Sequence, residues 1–473
     1  MGVVPPAGSL FTGMLRSRRA FSTVSQHSGR SKMAAANSIS SLMSTPAVEA
    51  TAAKVAVVAI EMGYGHLRPA RSLARELNVE LMHTDRPPLA DAEEQRRWQA
   101  TRRLYESMSR VSGIPWIGPP LRGLLNSITD IPNLYPFRDL SGATLGVKLL
   151  ERAARQGLGR SIVGYLQQND LALLTTFYSP AVLADFHGYD RIFCVVTDSD
   201  VNRVWAPIHP ESSKIHYLAP SGRVVRRLRA YGVPESQIEL TGFPLPHSLV
   251  GGAEAPTLRK NLLRRLARLD PMQTFRHAYA ADLEHLGPLP ETHEPPHLVF
   301  AVGGSGAQAE LSAAFLPSLR PLLERRRLRL TLVAGVRRGV KIRFEDEIAR
   351  AGLADQMGRS VDILHEPVLG AYFDRFDALL ADTDILWTKP SELVFYAALG
   401  IPLLLAPPVG IHESYNLRWA RENGAGLKQR AAHVIGDRLL EHLADGNLAS
   451  AAWAGYRRLP SSGLYKIAER VQG

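Results

Sequence analysis

The chain has 473 residues, a formal net charge of +11 and one cysteine. At roughly 100–200 residues per domain this length suits two to four domains, and 45% hydrophobic against 21% charged residues excludes a disordered chain. The lone Cys194 excludes an intramolecular disulfide framework and a zinc site built on several thiolates, no apolar run approaches the ~18 residues of a membrane-spanning helix, and the excess of 56 Lys+Arg over 45 Asp+Glu leaves anionic partners open: nucleic acid, a membrane surface or a phosphorylated substrate.

The charge is uneven. Arg16, Arg18, Arg19, Arg30 and Lys32 precede the first acidic residue, Glu49, so five of the eleven net charges sit on the start of the chain. That Ser- and Arg-rich, acid-free stretch fits an organelle targeting segment. It equally fits a disordered tail, or a start placed too early with Met33 or Met43 as the true one. Residues 1–50 are therefore set aside from the fold.

Ordered structure is expected from Lys54. Val55 to Ile60 is a continuous β-branched run, the signature of a strand buried on both faces of a parallel sheet. A glycine turn, a helix from Pro69 to Leu77 and a strand from Val79 to His83 complete a βαβ unit. Residues 93–165 read as mainly helical, with loops at Pro115-Trp116 and Pro132 to Phe137. Strands are expected at Leu171 to Thr176, Ile192 to Thr197, His216 to Ala219 and Ile238 to Thr241, with a helix from Ser221 to Tyr231. A second alternation runs through Leu298 to Val302, a helix to Leu323, Leu328 to Gly335 and a helix from Phe344 to Ala351. It continues through Val361 to Leu364, Ala378 to Ala381 and Pro402 to Ala406, with helices at 414–422 and 447–458. This divides the chain into a tail (1–50), an α/β domain (51–246), a connection with one or two helices (247–296), a second α/β domain (297–446) and a C-terminal helical segment (447–473). Tandem α/β domains bind ligands in the cleft between them.

Three loops carry candidate chemistry. Gly63-Tyr64-Gly65-His66 follows the first strand. Glycines there allow positive φ, the next helix offers free N–H groups, and His66 at its mouth could act as a general base. The motif serves a plain capped turn as well, and Arg68 stands where a dinucleotide fingerprint needs glycine. Gly303-Gly304-Ser305-Gly306 again joins a strand to a helix, where backbone amides and the Ser305 hydroxyl could surround a phosphate. It lacks the ending of a nucleoside-triphosphatase loop. In the third stretch, Thr388 and Ser391 could cap a helix, Lys389 could pair with phosphate, and Glu392 complements the helix dipole. Glu413 and Asn416 follow in a polar turn after a buried strand. Thr197-Asp198-Ser199-Asp200 reads first as a polar turn rather than a metal-binding DxD. His209, His216 and His247 show no metal-ligand spacing, Arg325-Arg326-Arg327 reads as a solvated helix end, and Cys194 reads as an inert core residue.

The order of these pieces resembles the two-domain GT-B glycosyltransferases, above all the group holding the peptidoglycan enzyme MurG and the monogalactosyldiacylglycerol synthases. Gly63 to His66 is similar to the family's GxGH loop. Val195-Val196-Thr197-Asp198, Ala219-Pro220-Ser221 and Gly242-Phe243-Pro244 are similar to the galactolipid synthase series. Gly303 to Ala307 resembles the GGSxGA loop. Thr388-Lys389-Pro390 through Gly400-Ile401-Pro402, with Glu413-xx-Asn416, resembles the donor-site signature. The resemblance spans residues 54–426.

It implies an α/β fold of GT-B architecture, two Rossmann-like domains facing each other across a cleft. It implies transfer of a sugar from a nucleotide-diphosphate donor, usually a UDP-sugar, without an essential metal and with inversion; the nucleotide sugar is a substrate, and no cofactor is expected. His66 would deprotonate the acceptor, with Gly63, Gly65 and Asp198 in the acceptor-side loops. Gly304, Ser305 and Gly306 would hold the diphosphate, Glu413 and Asn416 would orient the sugar, and Gly303, Thr388, Lys389 and Glu392 would complete the donor site. One position departs: the family's ribose-binding glutamate, five residues before Gly400, is here Phe395, and Glu392 lies one helical turn earlier as its replacement. A sugar-nucleotide 2-epimerase and a non-catalytic nucleotide-sugar-binding protein share the fold. The relatives act on membrane lipids, so the basic, aromatic segment Arg96 to Arg122 is read either as a peripheral dock on anionic membrane or as a solvated helix pair. The expected location is cytoplasmic, with membrane attachment or organelle targeting as alternatives. Nucleic acid is not expected as a partner.

Overall fold

The computed structural model describes residues 54–61, 63–100, 130–303, 306, 308–408 and 410–473. The readings made for residues 1–50, for Gly304 and Ser305, and for Arg102 to Arg122 lie outside them.

Two six-stranded parallel sheets form the molecule. The first holds β1 (Val55–Ala59), β2 (Leu81–His83), β3 (Ala172–Thr175), β4 (Ile192–Val195), β5 (Ile215–Ala219) and β6 (Ile238–Leu240). The second holds β7 (His297–Ala301), β8 (Arg329–Gly335), β9 (Val361–His365), β10 (Ile385–Thr388), β11 (Leu403–Leu405) and β12 (Gly426–Lys428). All five residues of β1 and of β7 are buried, as parallel strands covered on both faces require. The expected α/β architecture with two Rossmann-like domains is therefore what the chain forms.

Strand order places the loops. In the first sheet it runs β2-β1-β3-β4-β5-β6, so chain direction across the sheet reverses between β1 and β3. In the second it runs β12-β11-β10-β7-β8-β9, reversing between β7 and β10. Ligands of open α/β sheets bind at such reversals, beyond the carboxyl ends of the strands. The GxGH loop follows β1 and the Gly303 to Gly306 turn follows β7, so each glycine loop stands at a reversal.

Several elements differ from expectation. Helix α1 runs Tyr64–Glu76, starting five residues earlier than read and carrying Pro69 inside. Pro69 has no N–H for the Gly65 carbonyl, so one intrahelical bond is forgone. Ala378 to Ala381 is not a strand but the end of a Leu369–Asp382 helix, whose buried Tyr372, Phe373, Phe376 and Leu380 repeat at helical spacing; the strand is β10. The connection carries four α-helices, the longest being Pro256–Leu269, and a 3₁₀ turn, more than the one or two helices expected. The C-terminal helix Gly463–Gln472 returns to the first lobe, where Leu464 and Ile467 share a core with Leu67 and Leu73 of α1.

That core cluster crosses between the lobes, from Val57 and Val195 of the first sheet to Val299 and Leu386 of the second. Phe243 stacks on Phe395 with ring centroids 4.7 Å apart and an interplanar angle of 9°. The Phe395 departure is thus filled by apolar packing between lobes.

Candidate active site

His66 occupies the third position of α1. Gly63 before it adopts φ 106°, a backbone state open to glycine, which turns the chain from β1 into the helix. His66 Nδ1 lies 3.0 Å from the Thr176 carbonyl and 2.8 Å from Thr197 Oγ1. A carbonyl only accepts, so Nδ1 carries the hydrogen and the Nε2 lone pair is left for chemistry. The Thr176 hydroxyl donates back to the His66 carbonyl at 2.8 Å. Phe177 meets the imidazole edge-to-face at 4.5 Å. Burial lowers the His66 pKa below its ordinary value, with Asp198, the Thr176 bond and Glu392 opposing and His412 adding to the fall. The imidazole is therefore neutral at pH 7, as a base must be.

Asp198 and Asp200 part company. Asp200 is buried and takes Arg227 Nε at 2.7 Å and Nη2 at 3.0 Å, with Arg223 Nε at 2.7 Å. Its carboxylate is consumed by arginines, which removes one arm of the DxD reading. Among the described residues no group of three or more His, Cys, Asp or Glu could hold a metal ion. Asp198 instead accepts from Asn416 Nδ2 at 3.3 Å.

Asn416 belongs to the Ile411–Glu422 helix of the second lobe and is fully buried against the first. Its Oδ1 accepts from Ser199 N at 3.0 Å and from Ser199 Oγ at 2.7 Å, and its Nδ2 also reaches the Pro390 carbonyl at 3.2 Å. Asn416 thus ties the two lobes together. Tyr64 adds a further tie, with Tyr372 at 5.6 Å and Phe373 at 5.5 Å between centroids.

In the second lobe, Gly306 N donates to the Gly303 carbonyl at 2.7 Å, closing a tight turn after β7. The Lys389 stem packs where a Gly303 side chain would stand. Lys389 Nζ lies 2.5 Å from Glu413 Oε1, a largely buried ion pair beside that turn. Thr388 is turned away: its buried hydroxyl donates to the Ala301 carbonyl at 3.1 Å, joining β10 to β7. Ser391, not Thr388, caps the following 3₁₀ helix, Glu392–Leu399. Beside Gly306 opens a cavity of about 320 Å³, lined by Glu310, Arg337, Gly339, Val340 and Arg343.

Glu392 is buried and reaches the first lobe. Its Oε1 lies 3.6 Å from Arg68 Nη1, and its Oε2 would sit 3.2 Å from a Cβ placed on Gly65. Glu392 and Phe395 share a face, since i and i+3 eclipse in a 3₁₀ helix, and α1 and Phe243 occupy that face.

The residues brought together are therefore His66, Gly65, Asp198, Asn416 and Glu392 across the lobes, and Gly303, Gly306, Lys389 and Glu413 within the second. Sequence reading missed Thr176, Thr197 as a partner of His66, Arg68 and Arg337. The position of Thr176 and Thr197 just past β3 and β4, beside the first reversal, was the available signal. In the basic segment, Trp98 is buried with Ile60 and Phe177, and Arg97 pairs with Glu93. The Arg325 to Arg327 run is exposed and Cys194 is buried, as read.

Residues 289–445 match the model of a domain of unknown function, DUF6938. No curated protein matches the chain. Among solved structures, the chain is similar to MurG of Acinetobacter baumannii, with 12% identity over 88% of this chain and 98% of that one and a TM-score of 0.46. It is similar to the UDP-GlcNAc 2-epimerase of Neisseria meningitidis bound to UDP-GlcNAc, with 9% identity, 88% and 98% coverage and a TM-score of 0.45. It is also similar to S. aureus MnaA in its UDP co-structure, with 11% identity, 88% and 95% coverage and a TM-score of 0.43.

Proposed function

We propose that the protein is a glycosyltransferase that moves a hexosyl group from a nucleotide-diphosphate sugar, read as a UDP-sugar, to an acceptor hydroxyl with inversion. The observation that carries this reading is the pairing of the two reversals. A neutral imidazole with Nδ1 locked stands at one, and a glycine turn beside a buried lysine at the other. His66 Nε2 takes the acceptor proton as the acceptor oxygen bonds to the anomeric carbon. The bond from that carbon to the diphosphate oxygen breaks, and the electron pair leaves with the nucleotide. The charge that develops is met beside the Gly303 to Gly306 turn by Lys389, which exchanges Glu413 for phosphate. Glu413 stands beside it to accept from a sugar hydroxyl. No metal is assigned to the reaction, because Asp200 is held by Arg223 and Arg227.

The acceptor is read as a lipid at an anionic membrane. The Leu145–Arg155 helix supports this, since it exposes Leu145 and Leu149 between Lys148, Arg152 and Arg155. The test is a screen of nucleotide sugars with wild type and His66→Ala, with product analysis. Transfer or slow donor hydrolysis in wild type, lost in the variant, supports the reading. A 2-epimerised donor without acceptor replaces it with the epimerase, and binding without turnover across acceptors leaves a binding protein.

A further inference from the structure

A carboxylate from the other lobe approaches the start of α1. Glu392 Oε2 lies 3.2 Å from the place a Gly65 Cβ would take, one residue from the base. The Gly65 backbone is outside the left-handed region, so glycine here leaves room for a neighbour rather than permitting a turn. The other carboxylate oxygen faces Arg68 at 3.6 Å. Arg68 is itself buried, its guanidinium 4.4 Å from the Phe376 ring centroid and 5.2 Å from that of Phe373. Arg68 Nε and Nη1 have no hydrogen-bond partner. A buried carboxylate is costly to desolvate unless a charge faces it, and Arg68 supplies that charge to Glu392 as it does to Asp377. Glu392 meets Arg68 where α1 and the Glu392–Leu399 helix are in contact.

We propose that Glu392 is a positioning residue of the catalytic helix rather than a ligand of the donor ribose: across the contact between the lobes Arg68 holds its carboxylate against Gly65, beside the base. This rests on the reading of His66 as the base. The ionisable groups that act on that imidazole are Asp198 beyond β4, Glu392 from the 3₁₀ helix and His412 from the Ile411–Glu422 helix. Asp198 and Glu392 favour the imidazolium that forms as the acceptor proton is taken, and His412 opposes it. Glu392 is the carboxylate that the second lobe supplies, because Asp198 lies in the same lobe as His66. The base thus draws part of its strength from the donor lobe.

The experiment is an NMR titration of His66 in the full chain, comparing wild type with Glu392→Gln, alongside calorimetric titration of each with UDP. The His66 midpoint is expected to fall by ~0.5 pH unit in Glu392→Gln, with the UDP dissociation constant changed less than about threefold. An unmoved midpoint overturns the proposal. So does a larger loss of UDP affinity, since Glu392 would then touch the donor. Gly65→Ala keeps every charge and crowds the carboxylate aside. Its midpoint falls in the same direction by less, and it decides the matter if Glu392→Gln does not fold. If wild type binds no nucleotide, the proposed transfer reaction fails, and the His66 titration alone still decides this inference.

Discussion

The two strand reversals are built alike and furnished differently. Beyond β1 and β3 the loop's side chains hold one another: Thr176 and Thr197 hold His66, and Asn416 and Ser199 hold the turn after β4. Beyond β7 and β10 the loop is glycine, a lysine held by one carboxylate, and an open cavity flanked by Arg337 and Arg343. On the proposed reading the first is a tool whose reactive atom is fixed in advance, and the second a cradle whose charges pair with each other until an anion arrives. A base gains from preorganisation, because a misplaced lone pair takes no proton. A leaving-group site gains from a counter-ion that can be exchanged.

Mutation can break that comparison at each end. The largest effect is expected for His66→Ala, which removes the base and lowers transfer by ~10²–10⁴-fold while leaving UDP affinity intact; steady-state kinetics with calorimetry separates the two. Equal loss of both would make His66 a binding residue. Next comes the joint between the halves. Phe395→Ala empties a buried stacked position and is expected to cost about 3 kcal/mol, read by denaturant unfolding. A cost under about 1 kcal/mol would mean that the lobes do not depend on this contact.

Asp377, behind Arg68, sharpens the account through pH. Burial raises its carboxyl to about 6, against the pull of Arg68. A folded-state pKa above the unfolded one contributes stability below about pH 4 that is lost as pH rises through 6. Asp377→Asn is therefore expected to stabilise the protein by about 1–3 kcal/mol at pH 8 and to be neutral near pH 4, by urea melts at both. The reverse dependence would place the ionised carboxylate in a favourable pair. The smallest effect belongs to Thr197→Val, which removes one acceptor from Nδ1 and is expected to lower kcat roughly fivefold, about 1 kcal/mol, because the Thr176 carbonyl still fixes the tautomer. A hundredfold loss would move Thr197 into the chemistry itself.

Much of the fold was legible, and the reason is physical. Strands buried on both faces must be continuous apolar runs, so β1, β3, β4, β7 and β8 stand out in the sequence. The ends of helices were harder. Pro69 read as a first-turn residue, yet α1 begins before it because His66 and Thr176 anchor the earlier turn. Ala378 to Ala381 is short and apolar, a pattern that strand and helix share. In the site, local motifs disclosed His66, Lys389 and Glu413. The pairings of Glu392 with Arg68 and of Asn416 with Ser199 join residues hundreds of positions apart, and no local spacing encodes them. Glu392 illustrates the difference: its spacing from Phe395 correctly placed both on one face, while the occupant of that face, α1, is a tertiary fact.

The account's central claim is that the second reversal is a diphosphate cradle armed by Lys389. Calorimetric titration of UDP into wild type and Lys389→Met tests it most directly. Saturable binding to wild type, weakened at least ~10-fold in the variant, is the predicted result, since a charge-assisted contact to phosphate contributes about 1.5–3 kcal/mol. Equal affinity in the two proteins, or no binding of UDP to wild type, would contradict it.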